Sequence, residues 1–337
     1  MQRSVPQTAY TDIRTGHRVR GRLFLLVISL LLLGACADPS GQTPLRVGLL
    51  VWPPYELAFL ARDLGYLDDE RIKLIDFESP AVAQRAYREG AVDVVAVTSH
   101  YLLELAQHDG GHRVVLVIDI SDGADALVAR PRIETLAELK GKRIAVESSA
   151  LGAYMLYRVL QRAELQLADV ARISMDIPEQ EKAYLEDRVD AVITYEPTRS
   201  RLIAQGARVL FDSGDIPDEI VDVLIARVST IEQRREALQM LVDGWLRALD
   251  YLRTHPEDAL QRMSVREGLG VGEMRAVLEL VDMPDRARNL ALLGGVQPGL
   301  RAGLTRHVEV MLEAGLLQQD VVVDGLTDPS LVREPGD

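Results

Sequence analysis

Two short apolar segments about a hundred residues apart repeat one pattern, and they constrain the fold of this chain most. Residues 125–130 read DALVAR and residues 222–227 read DVLIAR. Each segment is predicted to be a strand, because it contains a short apolar run, and the first run follows a polar turn at 121–123. We expect them to mark two crossings between two lobes, with 130–216 as an inserted lobe and a ligand cleft beside the crossings. Two unrelated strands of similar sequence are the alternative.

Short apolar strands alternate with helical segments before and after the first crossing. The predicted strands are 45–51, 73–77, 93–97, 114–118, 139–146, 173–177, 190–194 and 209–211. This alternation predicts an α/β fold with a mostly parallel sheet in each lobe, and ligands bind at the carboxyl ends of such strands. We expect lobe 1 to comprise 45–129 and 217–337, including helices at its carboxyl end, and lobe 2 to comprise 130–216.

The first 35 residues have the features of a targeting segment. Four arginines between residues 14 and 22 precede an apolar run at 23–33, which suits a signal-peptide core and is too short to span a bilayer. The run ends in LGAC, which resembles the bacterial lipoprotein signal, and its last residue, Cys36, would carry the lipid. We expect a lipoprotein signal peptide at 1–35 and a tether at 36–44. An ordinary secretory signal with an incidental cysteine is the alternative.

Charge and cysteine content restrict the classes of function. The formal net charge is −13, and removal of residues 1–35, with five arginines and one aspartate, lowers it to −17. So acidic a domain is a poor binder of nucleic acid, and no nucleic-acid partner is expected. Cys36 is the only cysteine, which excludes structural disulfides and cysteine-based metal clusters. We expect no cofactor and no metal, and interpret His100, His108 and His112 as solvated surface residues.

Several segments resemble the periplasmic substrate-binding proteins of ABC importers. The likeness is carried by LKGKRIAV at 139–146, DAVITYEP at 190–197, and WPPYE at 52–56 followed by LARDLGY at 60–66. The group that these segments resemble is the nitrate/sulfonate/taurine-type family, related to the thiamine-pyrimidine-precursor binding proteins. The resemblance covers roughly 45–315. It implies a type II periplasmic-binding-protein fold, in which two lobes joined by two crossing strands close on a ligand by hinge motion.

The resemblance and the predicted strand ends together indicate a set of ligand-binding residues. Aromatic walls, hydroxyl groups, a helix start and carboxylates are all expected at these loops. The set is Trp52, Tyr55, Glu56, Thr98, Ser99, Ser121, Asp122, Asp125, Glu147, Ser148, Gly152, Tyr195 and Glu196. For any one of them a structural role, as a core aromatic or a helix cap, is the alternative.

Carboxylates dominate the predicted cleft, and Asp222 stands near it as well. Facing carboxylates without partners raise one another's pKa values, and a cation relieves this repulsion. Aromatic faces also favour cations. We therefore expect a cationic or donor-rich ligand, although family precedent gives a sulfonate, nitrate, taurine or a thiamine pyrimidine precursor. Pairing of these acids with Arg130, Arg199 or Arg227 is the alternative.

The predicted function is that of an extracytoplasmic lipoprotein that captures a small polar solute between its lobes and delivers it to an ABC importer. Its partners would be the solute, an ABC permease and ATPase, and the membrane through the lipid anchor. It would belong to the cell envelope and face the periplasm or the extracellular side. A ligand-sensing lipoprotein for a membrane receptor is one alternative. A pyrimidine-synthase-like enzyme of a related fold is another, but that chemistry needs a cysteine-rich motif, so we expect no enzyme.

Overall fold

The structure of this protein is a computed structural model that describes residues 1–2 and 43–332. The predicted signal peptide beyond its first two residues, and the predicted lipidation site Cys36, lie outside the described residues. The fold described below is that of the unit that begins at Pro44.

Short apolar segments form the strands of two sheets. In chain order, the strands of the described residues are β1 (Leu45–Leu50), β2 (Ile72–Phe77), β3 (Val94–Thr98), β4 (His112–Ser121), β5 (Asp125–Ala129), β6 (Arg143–Val146), β7 (Ala171–Ser174), β8 (Ala191–Tyr195), β9 (Arg208–Asp212), β10 (Val221–Arg227) and β11 (Val281–Asp282). The first sheet has the order β11-β4-β10-β3-β1-β2, and the second has the order β7-β6-β8-β5-β9. Each sheet has parallel strands at one side, and each sheet with its helices forms one lobe.

Amphipathic helices cover the sheets. In chain order, those of the described residues are α1 (Glu56–Asp63), α2 (Pro80–Arg88), α3 (Ser99–Ala106), α4 (Ala150–Arg162), α5 (Ile177–Leu185), α6 (Thr198–Ala204), α7 (Val228–Gln233), α8 (Arg235–Thr254), α9 (Pro256–Glu267), α10 (Val271–Leu278), α11 (Arg286–Leu293) and α12 (Gly299–Glu313). The longest, α8, packs against α1 and buries Leu238, Leu241 and Trp245, which recur at helical spacing. Within the described ranges, no helix has both the length and the apolar character that a membrane span requires.

The two repeated segments occupy equivalent positions in the two sheets. Strand β5 runs antiparallel between β8 and β9, and β10 runs antiparallel between β3 and β4. Residues 125–129 therefore lie in lobe 2, and their predicted assignment to lobe 1 is wrong. The chain crosses before each repeated strand, at 122–124 and 213–220, so each strand is inserted into the sheet of the lobe that it has just entered. The two segments have similar sequences because each occupies the same position in the sheet of its lobe.

A matching pair of ion pairs supports this common plan. At the start of β1, Arg46 binds Asp93 through its backbone N at 2.9 Å and its Nε at 3.0 Å. At the start of β6, Arg143 binds Asp190 through the same two atoms, each at 3.0 Å. The Arg143 guanidinium lowers the pKa of Asp190 to about 2. Both pairs join the amino ends of parallel strands, so they leave the opposite, carboxyl ends free to form a site.

The two crossings are hydrogen-bonded to each other. Ser121 Oγ lies 2.8 Å from Ser213 Oγ, and the backbone N–H of Gly123 donates to the same Ser213 Oγ at 2.6 Å. Gly123 has a φ of 107°, which a residue with a side chain rarely adopts. Hinge motion between the lobes would have to pass through these segments, and these bonds hold the two crossings side by side.

Candidate functional site

Strand ends from both lobes enclose a cavity with an empty volume of about 520 Å³, which includes the part open to solvent. Thr98 ends β3 and Tyr195 ends β8, while the antiparallel strands contribute aspartates. The residues that line the cavity are Leu50, Trp52, Tyr55, Pro80, Gln84, Val97, Thr98, Asp119, Asp125, Glu147, Ser149, Leu151, Tyr195, Ile220 and Asp222. The cavity thus lies where the α/β pattern predicted a ligand site.

Two aromatic residues close the cavity from opposite lobes. Trp52 follows β1 in an extended conformation and is buried, and Tyr195 ends β8. Their ring centroids are 5.7 Å apart at an interplanar angle of 86°, which is an edge-to-face contact. Trp52 Nε1 also donates to Asp119 Oδ2 at 3.0 Å. The Trp52 side chain therefore contacts lobe 2 while it is held by an acid of lobe 1.

Lobe 1 presents a row of polar groups across three adjacent strands. Asp222 on β10 is paired with Asp119 on β4 and with Thr98 on β3. Tyr55 OH donates to Asp222 Oδ2 at 2.8 Å, and the Tyr55 ring packs edge-on against Trp245 of α8 at 6.4 Å. This row is therefore anchored in the core and its carboxyl groups face the cavity.

Lobe 2 contributes two further carboxyl groups. Asp125 starts β5 opposite Tyr195, and Glu147 follows β6. Ser149 Oγ donates to Glu147 Oε1 and accepts from Gly152 N at 3.0 Å, which caps α4. A Cβ on Gly152 would lie 2.6 Å from the Glu147 carbonyl oxygen, so glycine allows the helix to start this close. Glu147 Oε2 is buried and has no hydrogen-bond partner among the described residues.

Burial raises the pKa of every carboxyl group in this cavity. The pKa values of Asp125, Glu147 and Asp222 rise to about 7, and that of Asp119 rises well above its usual range. Neighbouring negative charge adds to the effect, as when Asp222 raises the pKa of Asp119. Hydrogen bonds from Ser149 and other neighbours oppose the shift without cancelling it. Near neutral pH these groups therefore retain protons that a cation can displace.

Six of the predicted ligand-binding residues line the cavity. They are Trp52, Tyr55, Thr98, Asp125, Glu147 and Tyr195. Ser121 is the last residue of β4, and Asp122 begins the first crossing, where its N donates to the Leu280 carbonyl oxygen at 2.8 Å and its side chain is exposed. Ser148 is exposed and its Oγ bonds Ser174 Oγ, while Gly152 lies behind Glu147.

Three predicted residues have protein partners away from the cavity wall. Glu56 Oε2 lies 3.1 Å from Arg266 Nε, and Ser99 Oγ lies 3.2 Å from His307 Nδ1. Glu196 is fully buried, and its Oε1 lies 3.0 Å from Arg199 Nη1. This ion pair is one of those that the sequence left open as an alternative.

Asp119 is a carboxyl group of the cavity that the sequence prediction missed. The predicted strand ended at 118, one residue short of Asp119, whereas β4 continues to Ser121. A single acid within an apolar strand that ends at the predicted cleft was the available signal. Asp222 was noted only beside the predicted set, and Ser149, which caps α4, was not part of that set.

The histidines of the described residues belong mainly to the core. His100 is fully buried and stacks on His307 at 4.6 Å between ring centroids, and His112 is buried beside Tyr87. The interpretation of His100 and His112 as solvated surface residues is therefore wrong. In the ranges that the structure covers, no group of three or more His, Cys, Asp or Glu side chains could hold a metal ion.

Comparison with models of protein families identifies the family of this chain. A family model described as NMT1/THI5 like matches residues 53–259, which is more than half of the chain. The chain belongs to the NMT1/THI5-like family. This membership agrees with the likeness to thiamine-precursor and sulfonate binding proteins that the sequence motifs indicated.

Curated relatives of this NMT1/THI5-like protein carry provisional names. A provisionally named binding protein of Brucella abortus (strain 2308) is 25% identical over 154 residues, which are 44% of this chain and 48% of the relative. The match therefore spans about half the length of that relative. A provisionally named ABC transporter periplasmic binding protein of Brachyspira hyodysenteriae is 21% identical over 266 residues, which are 71% of this chain and 75% of the relative.

Solved structures share the fold of this NMT1/THI5-like protein. The alkanesulfonate-binding protein SsuA of Xanthomonas axonopodis pv. citri, bound to MOPS, has a TM-score of 0.71 at 17% identity, covering 85% of this chain and 98% of that one. The aliphatic sulphonate binding protein SsuA of Escherichia coli has a TM-score of 0.67 at 18% identity, and the match covers 84% of this chain and 91% of that one. The desulfurization enzyme DSZB has a TM-score of 0.63 at 19% identity, and the match covers 86% of this chain and 98% of that one. These likenesses confirm the predicted periplasmic-binding-protein fold.

Proposed function

We propose that this protein is the extracytoplasmic solute-binding component of an ABC importer, held at the membrane by a lipid on Cys36. The observation that carries the proposal is a cavity formed by both lobes, whose walls meet at Trp52 and Tyr195. A solute that contacts both lobes stabilises their closed arrangement, and that arrangement is what a permease can recognise. The name of the Brachyspira relative and the fold of the SsuA proteins support the same function.

The solute is a small cation or a group rich in hydrogen-bond donors. Among the described residues that line the cavity there are four carboxyl groups and no arginine, lysine or histidine. A sulfonate would meet like charge on these walls, or would require all four groups to stay protonated. A cation instead displaces their protons, and Glu147 Oε2 offers an acceptor without a partner. The faces of Trp52 and Tyr195 favour the same ligand.

Binding without chemical conversion is part of the proposal. DSZB shares the fold and is titled an enzyme, which makes conversion of the solute the second candidate. The relatives with matching sequence segments are named as binding proteins, and this supports capture. Incubation of the bound solute with the protein should return it unchanged by mass spectrometry, whereas a new product would establish the enzyme.

Thermal denaturation of the full chain in detergent tests the ligand class. The Tm is measured in the presence of guanidines, diamines, quaternary ammonium compounds, alkanesulfonates or nitrate. A ligand at 100 times its Kd stabilises the folded state by about 2.7 kcal/mol. We expect a cation to raise the Tm, Glu147→Gln to abolish the rise, and the exposed control Glu309→Gln to retain it. If only sulfonates or nitrate raise the Tm, and Glu147→Gln leaves that rise intact, the cation assignment is wrong.

A further inference from the structure

A second pocket, here called the outer pocket, adjoins the cavity, and its wall carries three arginines and two glutamates. It is lined from both lobes and has an empty volume of about 870 Å³, which includes open solvent. The residues of this outer pocket are Ala81, Gln84, Arg85, Arg88, Glu104, Val146, Glu147, Ser148, Ser149, Ala150, Ala153, Arg172 and Ser174. Three arginines therefore lie beside a cavity whose own wall has none.

Two of these arginines differ from the third in their contacts. Among the residues that the structure covers, the guanidinium groups of Arg85 and Arg172 make no hydrogen bond or ion pair with another side chain, and both residues are exposed. Arg88 differs, because it bonds Tyr101 OH at 3.2 Å and lowers the otherwise raised pKa of Glu104. Arg85 and Arg172 thus remain as uncompensated positive charge, one on each lobe.

The outer pocket and the cavity share part of their walls. Gln84, Glu147 and Ser149 line both spaces. The two spaces therefore adjoin each other on either side of these three residues. Helix α4 begins here at Ala150, and its amino end adds a favourable field for negative charge.

We propose that the solute is zwitterionic, with its cationic group in the cavity and an anionic group between Arg85 and Arg172. This inference rests on the proposed function and deepens it. The carboxyl groups of the cavity select the cation, and the unpaired guanidinium groups form charge-assisted hydrogen bonds with a carboxylate, sulfonate or phosphonate. Because Arg85 belongs to lobe 1 and Arg172 to lobe 2, the anionic group also bridges the lobes. A solute with both charges therefore stabilises closure more than the corresponding simple cation.

The test uses matched solutes that differ only in an anionic group. Agmatine is paired with arginine, cadaverine with lysine, and tetramethylammonium with glycine betaine, and each is titrated calorimetrically into the full chain. We expect the zwitterion of the recognised pair to bind more tightly. In Arg172→Gln its affinity should fall by about tenfold, the loss of one charge-assisted bond, while the simple cation keeps its affinity within about twofold.

Two further variants make the result specific. Arg85→Gln removes the partner charge from the other lobe and should have the same effect as Arg172→Gln. Arg162→Gln is the matched control, because Arg162 is exposed at the far end of α4 and lines neither pocket. Its affinities should equal those of the unmodified protein.

The outcomes separate this inference from the proposed function. If both members of each pair bind equally, and neither Arg85→Gln nor Arg172→Gln changes the zwitterion affinity, the outer anion site is overturned and the cation cavity stands. If only solutes without a cationic group bind, both the outer site and the proposed ligand class are overturned.

Discussion

Replacing Glu147 by glutamine should stabilise the protein in the absence of ligand and abolish cation binding. Burial raises the pKa of Glu147 from its ordinary value of 4.5 to about 7. The folded state therefore binds a proton here that the unfolded chain has lost. Stability from this group is fully present below pH 4.5 and is lost as the pH rises through 7. Glutamine keeps the shape and can still accept the Ser149 hydroxyl, but it does not ionise.

The size of the effect follows from the pKa shift. Each pKa unit corresponds to about 1.4 kcal/mol, so the ionisable Glu147 destabilises the folded state by about 3 kcal/mol at pH 8. Near pH 4 the penalty falls to a few tenths of a kcal/mol, since the side chain is then largely protonated in both states. The advantage of Glu147→Gln over the unmodified protein should thus grow steadily between these two pH values.

Urea denaturation at pH 4, 5.5 and 8, at constant ionic strength, measures this advantage directly. Glu309→Gln removes one exposed carboxylate from α12 and serves as the control, with a denaturation midpoint close to that of the unmodified protein at each pH. A gain in stability of Glu147→Gln that is independent of pH, or a loss of stability at pH 8, would refute the assignment of a raised pKa to the buried Glu147 carboxyl group.

Three further changes test other parts of the account. Trp52→Ala removes an aromatic face worth about 0.5–2 kcal/mol to a cation, so calorimetry should give roughly tenfold weaker cation binding, and unchanged affinity would exclude this ring from the site. Gly152→Ala places a Cβ 2.6 Å from the Glu147 carbonyl oxygen, so it should lower the free energy of unfolding by about 1–3 kcal/mol and weaken binding. A variant with unchanged Tm and affinity would contradict the packing argument. Cys36→Ser should abolish incorporation of radiolabelled palmitate, and persistent incorporation would reject lipidation at that residue.

Local sequence pattern predicted the strand ends but not every direction in which side chains point from them. Trp52, Tyr55 and Thr98 were assigned to the cleft because each follows or ends a strand, and they line the cavity. Glu56 is the next residue after Tyr55, yet the start of α1 turns its side chain toward Arg266. Arg266 lies 210 residues further along the chain, so no local pattern reveals this pairing.

The sheet to which each repeated strand belongs was also beyond what local sequence could predict. The repeated segments at 125–130 and 222–227 were recognised, but their sequence does not say which sheet each joins. Strand pairing decides this, and β5 pairs with β8 and β9, so the strand belongs to the lobe it enters. The acidic character of the site was predictable from composition at the strand ends, while Asp119 was missed because the predicted strand ended at 118 and β4 continues to Ser121.

Calorimetric titration of the tightest-binding cationic solute at pH 7, in two buffers with different ionisation enthalpies, tests the central claim most directly. The difference between the two observed enthalpies gives the number of protons exchanged on binding. Because the pKa values of Asp125, Glu147 and Asp222 are raised to about 7, a bound cation should release about one proton or more, and its affinity should rise with pH. Proton uptake on binding, or tight binding of a simple alkanesulfonate with no cationic group, would contradict a cation-selective cavity.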